Sequence, residues 1–360
     1  MPFPNVAPGF TDLMDVANSK VTEIGVQQIT DAIELSVQLY NDEVAELEST
    51  LVERGTEFKE RYELPAVAEM QPLVGDTDRP KPAAGGASYE RAYPLKDAGH
   101  AWGGGRKARA KMTVLQANNH TWTGLVADAR WRMRHILAAW MSDQPWLYND
   151  PEHGVLTIGG CANGDATEYV NRNGDGFQDS HYLCQAVAID AANDPFPTLV
   201  SELMEHPEND NGMYPVAYIP TNLVQTVTAL PMVYNNLPDV IEPGANVTRL
   251  VTEQTGSPLG DKLIGFHEAG IWLVELMRLP NNYIPFHVPG IPFIYMREEP
   301  EAELQGLRTE LYDDDGVTWV NALIRTAGYA VRNRVAGGVL LIAAGGVYVS
   351  PAGFTNPLPQ

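Results

Sequence analysis

The chain has 360 residues, 44% of them hydrophobic, and a formal net charge of −22 at pH 7. The apolar share supplies a sizeable core, and the length suits two compact domains or one domain with long excursions. The acidic balance excludes a general nucleic-acid-binding surface, because phosphate neutralisation needs lysine and arginine. No apolar run spans a bilayer: the longest candidate, Ala336 to Val349, is broken by Gly337, Gly338, Gly345 and Gly346 and reads as glycine-punctuated strand. The opening MPFPNVAPGF lacks the positive and apolar regions of a signal peptide. Cys161 and Cys184 are too few for a disulfide framework, so cytosolic synthesis is expected. Nothing in their spacing decides whether they pair.

The charge is uneven. Residues 1–70 carry a net −10 and residues 79–111 a net +6, the latter including Arg91, Lys96, Arg106, Lys107, Arg109 and Lys111. Such segments neutralise each other within one chain or between copies, or remain two solvated faces that never meet.

In chain order, residues 1–24 read as an arm, punctuated early by proline and glycine. From Val26 the apolar residues Ile29, Ile33, Val37, Tyr40, Val44, Leu47 and Leu51 step by three and four. That spacing predicts an amphipathic helix, either a short coiled coil or a helix docked on a neighbouring subunit or domain. Residues 55–112 have neither helical nor strand period and contain five prolines and two glycine clusters. So long a stretch is improbable inside a compact domain. It is either disordered or an excursion ordered against something else, and Tyr89, Arg91 and Tyr93 on one face suit a long two-stranded finger.

Next comes the dominant element, a long helix within Lys111 to Trp146. Trp122, Leu125, Val126, Ala129, Met133, Ile136, Leu137 and Trp140 form one stripe. Asn119 or Thr121 is the expected N-cap, and Asp143 to Pro145 the stop. Asp128, Arg134 and His135 are expected opposite the stripe, flanked by Arg130 and Arg132, and Trp131 points off it and needs its own cover. Beyond the helix, Gly154 to Cys184 reads as strand, turn, strand. Helices are expected at Leu199 to His206 and Thr221 to Leu230, around a buried strand at Tyr214 to Ile219. Residues 235–262 are loop-rich. Strand-like runs follow at Ile271 to Leu279, Tyr283 to Val288 and Ile291 to Met296. Leu307 to Tyr312 and Thr318 to Thr326 flank the hairpin signal Asp313 to Gly316, and further strands lie at Tyr329 to Val335 and Val339 to Val349. Helices early, strands late and no regular alternation give the α+β class.

Motifs for chemistry are weak. Asn171 to Gly176 resembles the start of a calcium loop, with Asp179 at position nine, but position twelve is Tyr182 rather than glutamate. An Asx- and glycine-rich turn explains it more simply. His267-Glu268 lacks the second histidine of a zinc-protease helix, and Gly103 to Lys107 is not a phosphate loop. Cys161 and Cys184 sit in no catalytic signature, although His181 precedes Cys184 by three. The other histidines read as structural. No catalytic residue, cofactor or metal site is expected.

The order of parts, together with PFPTLVSELMEHPENDNGMYPVAYIPTNLVQTV and the ending LRTELYDDDGVTWVNALIRTAGYAVRNRVAGGVLLI, resembles the major capsid proteins of tailed viruses, the Hong Kong 97-type fold. The resemblance implies an N-terminal arm and helix over 1–54 and an extended loop over 55–112. It implies a peripheral domain over 113–213 with the long helix as spine, an axial domain over 214–306, and return strands over 307–360. It implies a non-enzymatic subunit, made in a host cytoplasm and found in the virion, that assembles with itself into hexamers and pentamers around double-stranded DNA. An acidic wall would keep that DNA from sticking. Scaffolding, portal and cement proteins are the implied further partners, with no membrane. Arg91, Lys96, Arg106, Lys107, Arg109, Lys111, Glu46 and Glu53 are the candidate inter-subunit contacts. Removing Gly85 to Gly105 should then leave a folded monomer that cannot assemble. Two alternatives stand beside this: an encapsulin-like compartment around cargo enzymes, and an acidic calcium-binding protein using the 171–179 loop.

Overall fold

The structure, a computed structural model, describes residues 18–48, 51–63, 70, 79, 88–234, 261–314 and 318–358. The first part of the expected arm and nearly all of the expected loop at 235–262 lie outside them. Two helices come first, α1 (Val21–Ile24) and α2 (Val26–Glu48). Strands β1 (Val52–Gly55), β2 (Lys59–Glu63), β3 (Ser88–Ala92) and β4 (Lys96–Gly105) lead through α3 (Arg106–Lys111) to the spine α4 (Val114–Met141). Then come β5 (Trp146–Asp150), β6 (Gly154–Ile158), β7 (Tyr169–Val170), β8 (Gly176–Phe177) and β9 (Tyr182–Gln185). They are followed by α5 (Phe196–Met204), β10 (Val216–Ile219), α6 (Thr221–Thr228) and β11 (Val233–Tyr234). The chain continues through β12 (Lys262–His267), β13 (Ile271–Glu275), β14 (Tyr283–His287), β15 (Ile294–Glu298), β16 (Leu307–Asp314), β17 (Thr318–Val331) and β18 (Gly337–Ile342). This is the expected α+β class.

The spine begins about two turns before Asn119 and Thr121. Thr113 is its N-cap: Thr113 Oγ1 accepts from Gln116 N at 3.3 Å, and Gln116 Oε1 accepts from Thr113 N at 3.2 Å. This reciprocal box satisfies two amides that would otherwise lack partners. The polar residues Gln116 and Asn119 do not end the helix, because they point to solvent while Val114, Ala117 and Thr121 are buried. On the predicted stripe, Leu125, Ala129, Ile136, Leu137 and Trp140 are buried, whereas Trp122 is 50% exposed. Trp131 packs on the main core beside Tyr329, which supplies its cover.

Among the described residues, β1, β15, β17, β16 and β4 form one sheet. The long strand β17 is its axis, paired with β4 over 318–327, β16 over 318–325 and β15 over 327–331. A second, seven-stranded sheet runs β11-β12-β13-β10-β14-β18-β9. The C-terminal half of α4 bridges the two: Ile136, Leu137 and Trp140 pack with Val216 and Tyr218 of one sheet and with Met296 and Tyr329 of the other. Helices α5 and α6 cover the second sheet through Phe196, Leu199, Leu203, Leu223 and Val227.

Part of the 55–112 excursion is built into the body. Strand β4 adds ten residues to the first sheet, so removing Gly85 to Gly105 would strip β17 of its partner along one edge rather than trim a free loop. Gly328 explains how the chain enters that strand: a Cβ there would stand 1.9 Å from Pro94 O. The predicted finger is present at its root, where β2 pairs with β3 from Lys59↔Ala92 to Glu63↔Ser88. The calcium-like stretch is instead a hairpin turn between β7 and β8. Asn171 Oδ1 accepts from Asn173 N and Asp175 N, both at 3.0 Å, Gly174 takes a φ of 87°, and Asp179 turns into the interior.

Helix α2 docks within its own chain. Ile29, Ile33, Val37, Tyr40 and Val44 pack on Val114, Ala117, Leu125 and Ala129 of the spine and on Leu307 and Leu323. Asp128 is the main correction to the helical wheel. Placed on the wet side by its spacing, it is 8% exposed and lies inside this packing. Arg325 Nε donates to its Oδ1 at 2.6 Å and Arg325 Nη2 to its Oδ2 at 3.1 Å, and Tyr40 Oη donates to Oδ2 at 2.7 Å. Arg132 Nε lies 3.5 Å from Oδ2. Burial alone would raise the Asp128 carboxyl pKa, but the Arg325 and Arg132 charges and the hydrogen bonds from Arg325 and Tyr40 outweigh it and hold the group below its ordinary value.

Asp128→Asn is therefore expected to cost about 3–5 kcal/mol, the usual penalty for removing one partner of a buried pair, read from the denaturant midpoint. The folded carboxyl titrates below its unfolded value, so its stabilisation is complete above about pH 4 and is lost as pH falls through the folded value. The variant should show a flatter acid limb of stability against pH; an unchanged limb would contradict the assignment.

Candidate assembly surface

Two ribbons stand beside the first sheet, β2–β3 and β5–β6. An isolated two-stranded ribbon is marginal in water, so each needs support. Both receive it at one place, where Ala92 and Tyr93 pack with Leu156, Ile158, Tyr295 and Ala330. Tyr89, Arg91 and Tyr93 do share one face, and that face is buried.

Arginines from the sheet fix the ribbon root. Arg332 Nε donates to Glu60 Oε1 at 2.8 Å, and its Nη1 pairs with Glu53. The Tyr93 hydroxyl also donates to Glu60. Arg297 Nη1 donates to Asp150 Oδ2 at 2.6 Å and to Tyr93 O at 3.1 Å, joining the second ribbon to the first. Tyr89 Oη donates to Arg332 O at 3.2 Å and accepts from Arg334 N at 3.1 Å. Arg334 itself reaches Asp165 at 2.7 Å and Gly160 O at 3.2 Å.

The candidate contact residues divide accordingly. Arg91 is 6% exposed and donates to Gly160 O at 2.6 Å, so its guanidinium serves the interior of this chain. Burial lowers its pKa, with the neighbouring Arg334 charge adding to the effect. Glu53 is engaged by Arg332. Lys96 lies with its ammonium 5.0 Å from the Trp146 ring centre, half-buried, which lowers its pKa. Lys107 and Lys111 are exposed on α3, which also carries Arg106 and Arg109. Glu46 lies in the last turn of α2. The acidic N-terminal segment thus meets arginine from the C-terminal strands, at Glu53 and Glu60, a partnership that sequence separation hides.

Two outward faces carry apolar side chains. On α2, Leu35 and Leu39 are about half exposed and four residues apart, among the exposed acids Asp31, Glu34 and Asp42. On the β5–β6 ribbon, Leu147 and Val155 are 68% and 65% exposed on the side away from the core. Scattered exposed leucines are ordinary, but such pairs on elements already anchored from behind are the usual material of a protein contact. Cys161 and Cys184 are both free thiols, and burial pushes the Cys161 thiol up to about 12, which favours its protonated form. His267 of the failed zinc-protease motif pairs with Asp194 at 2.9 Å.

No protein-family profile matches the chain, and no curated protein sequence does. Solved structures do match. The chain superposes on a protein of Mycobacterium phage Patience with a TM-score of 0.66 and 17% identity, over 95% of this chain and 95% of that one. It superposes on the capsid structure of cyanophage P-SCSP1u with a TM-score of 0.50 and 10% identity, over 82% of this chain and 86% of that one. The chain thus has the Hong Kong 97-type fold seen in phage capsid proteins.

Proposed function

We propose that this chain is the repeating structural subunit of a viral shell, assembling with copies of itself into hexamers and pentamers that enclose double-stranded DNA. The observation that carries this is the whole-length match of the fold to a phage protein, with two anchored ribbons that the subunit alone leaves half-covered. In this reading the β2–β3 ribbon continues outward as the extended loop over a neighbour. Such a segment gains its order from interface area rather than from its own core.

Charge sets the register. The exposed Lys107 and Lys111 on α3 face the acidic margin of a neighbour's α2, where Asp31, Glu34 and Asp42 surround the Leu35–Leu39 pair. Arg91 and Glu53 contribute indirectly, by holding the ribbon root. The net charge of −22 suits a wall that repels packaged DNA and makes no sequence-specific contact with it. No described helix is long and apolar enough to cross a membrane. Scaffolding, portal and cement proteins would be the remaining partners, the virion the site of action, and no catalytic step is required.

Electron microscopy with light scattering on the purified protein tests the reading. Closed shells, or hexamer and pentamer rings, are expected. A species that stays monomeric in high salt and with crowding agents would overturn it. Nucleic acid rather than enzyme cargo inside the shells distinguishes a virus from an encapsulin-like compartment. A second test replaces residues 64–87 with Asn-Gly, which joins β2 to β3 by a two-residue turn. The variant should keep the melting temperature within about 3 °C, since the anchoring arginines are untouched, and should lose shell formation. Arg332→Met should instead leave the body folded but raise amide exchange in β2 and β3 by about tenfold, the loss of hydrogen bonds to a charged group.

A further inference from the structure

Behind the turn that resembles a calcium loop, three buried side chains converge. Asp179 and His181 precede β9, and His206 follows α5; they are 7%, 0% and 1% exposed. Asp179 Oδ2 is 2.6 Å from His181 Nε2 and 3.0 Å from His206 Nε2, and the two Nε2 atoms are 3.3 Å apart.

The outer nitrogens face backbone carbonyls. His181 Nδ1 lies 3.0 Å from Gly337 O and His206 Nδ1 3.4 Å from Val170 O. A carbonyl oxygen only accepts, so a ring that donates its Nδ1–H there turns the lone pair of Nε2 inward. With both rings in that tautomer, three acceptor atoms meet among buried side chains, and a cation between them offsets their repulsion. One divalent metal satisfies all three atoms at once.

The dimensions suit a first-row divalent ion. Ligand bonds of about 2.0–2.1 Å in a tetrahedron place ligand atoms about 3.3–3.4 Å apart, the spacing of the two Nε2 atoms; the Asp179 edges of 2.6 and 3.0 Å are shorter, so the carboxylate must draw back by under about 1 Å to admit the ion. Glu205 Oε1, 3.8 Å from His206 Nε2 and outside the close trio, reaches the fourth position by turning its side chain. The carboxylates of Asp179, Glu202 and Glu205 also have oxygens within 4.8 Å of one another. The backbone carbonyls that orient the imidazoles are the usual outer partners of metal-bound histidine. Phe177 stacks parallel to His206 at 5.9 Å and closes the apolar side.

We propose that Asp179, His181 and His206, with Glu205 as fourth ligand, form a structural site for zinc or a similar divalent transition metal. The ion ties the end of α5 to the strand entering β9 and, through Gly337, to β18. It is a staple between covering helix and sheet, with no reaction attached. Sequence spacing concealed it: the histidines are 25 residues apart, and only Asp179 lay in a recognisable motif.

The test uses the full chain, stripped with a chelator and titrated with Zn²⁺ or Co²⁺. About one equivalent should bind per chain, Co²⁺ should show the intense visible bands of a tetrahedral site, and Zn²⁺ should raise the melting temperature by about 5 °C. His206→Gln and Asp179→Asn should each abolish the Co²⁺ bands and the melting shift. Failure of the wild-type protein to bind, or unchanged bands in both variants, overturns the proposal. Should a variant not fold, the wild-type titration alone decides, because a site that binds neither metal and shows no melting shift is a hydrogen-bonded triad and nothing more.

Discussion

The Asp128–Arg325 pair joins elements that are almost 200 residues apart in the chain, and it does so where helix α2, the spine and strand β17 meet. Its carboxylate takes hydrogen bonds from Arg325 and Tyr40, while Arg325 Nη2 also reaches Asn41 Oδ1 at 3.2 Å. Asn41 in turn exchanges hydrogen bonds with the backbone of Leu307 at 2.8 and 3.0 Å. A buried pair of this kind adds little net stability over an apolar replacement, but it tolerates only one arrangement of its partners. Here that arrangement sets the rotation of α2 on the spine and the height of both over the sheet. The apolar contacts among Ile33, Val37, Leu125 and Leu323 surround this polar cluster.

The same logic is repeated at the ribbon roots. Arg297 comes from β15, and Arg332 and Arg334 from the turn after β17; each holds backbone or carboxylate oxygens of a ribbon or its flanking loop. Arginine suits this task because its planar fork serves several oxygens at once and stays charged when half-buried. A rigid root lets a ribbon project while its outer part remains dependent on contacts elsewhere. Gly124 contributes in a simpler way: a Cβ there would stand 2.5 Å from Leu323 Cδ1, so its absence allows the spine to sit close on β17.

The proposed shell function and the proposed metal staple rest on different parts of the molecule. The first concerns the ribbons, α2 and α3; the second lies between α5, β9 and β18. A shell subunit must keep its two sheets in a fixed relation while its outer segments adapt. The spine serves that relation on one side of the seven-stranded sheet through Trp140, whose Nε1 donates to Gly338 O at 3.0 Å. His181 binds the adjacent carbonyl, Gly337 O, at 3.0 Å. Both devices therefore act on the first residues of β18.

What the sequence determined by itself was the local periodicity and everything that follows from it. The steps of three and four marked α2 and the spine, the glycine and proline punctuation marked the strands, and the α+β class followed. The root of the finger was legible from the alternation of Tyr89, Arg91 and Tyr93, and the β16–β17 pairing from the Asp-Gly signal between the two strands. Wherever the answer depended on a partner far away in the chain, only the tertiary structure decided it. The residue pattern placed Asp128 on a wet face because a carboxylate on a helix is normally solvated, and nothing near it announced Arg325. It assigned 96–105 to a loop because a glycine-rich stretch has little strand propensity of its own, whereas ten backbone pairings with β17 supply what propensity lacks. His181 and His206 read as unrelated for the same reason. Periodicity is a property of neighbours in sequence, but buried charge and metal-ligand geometry are properties of neighbours in space.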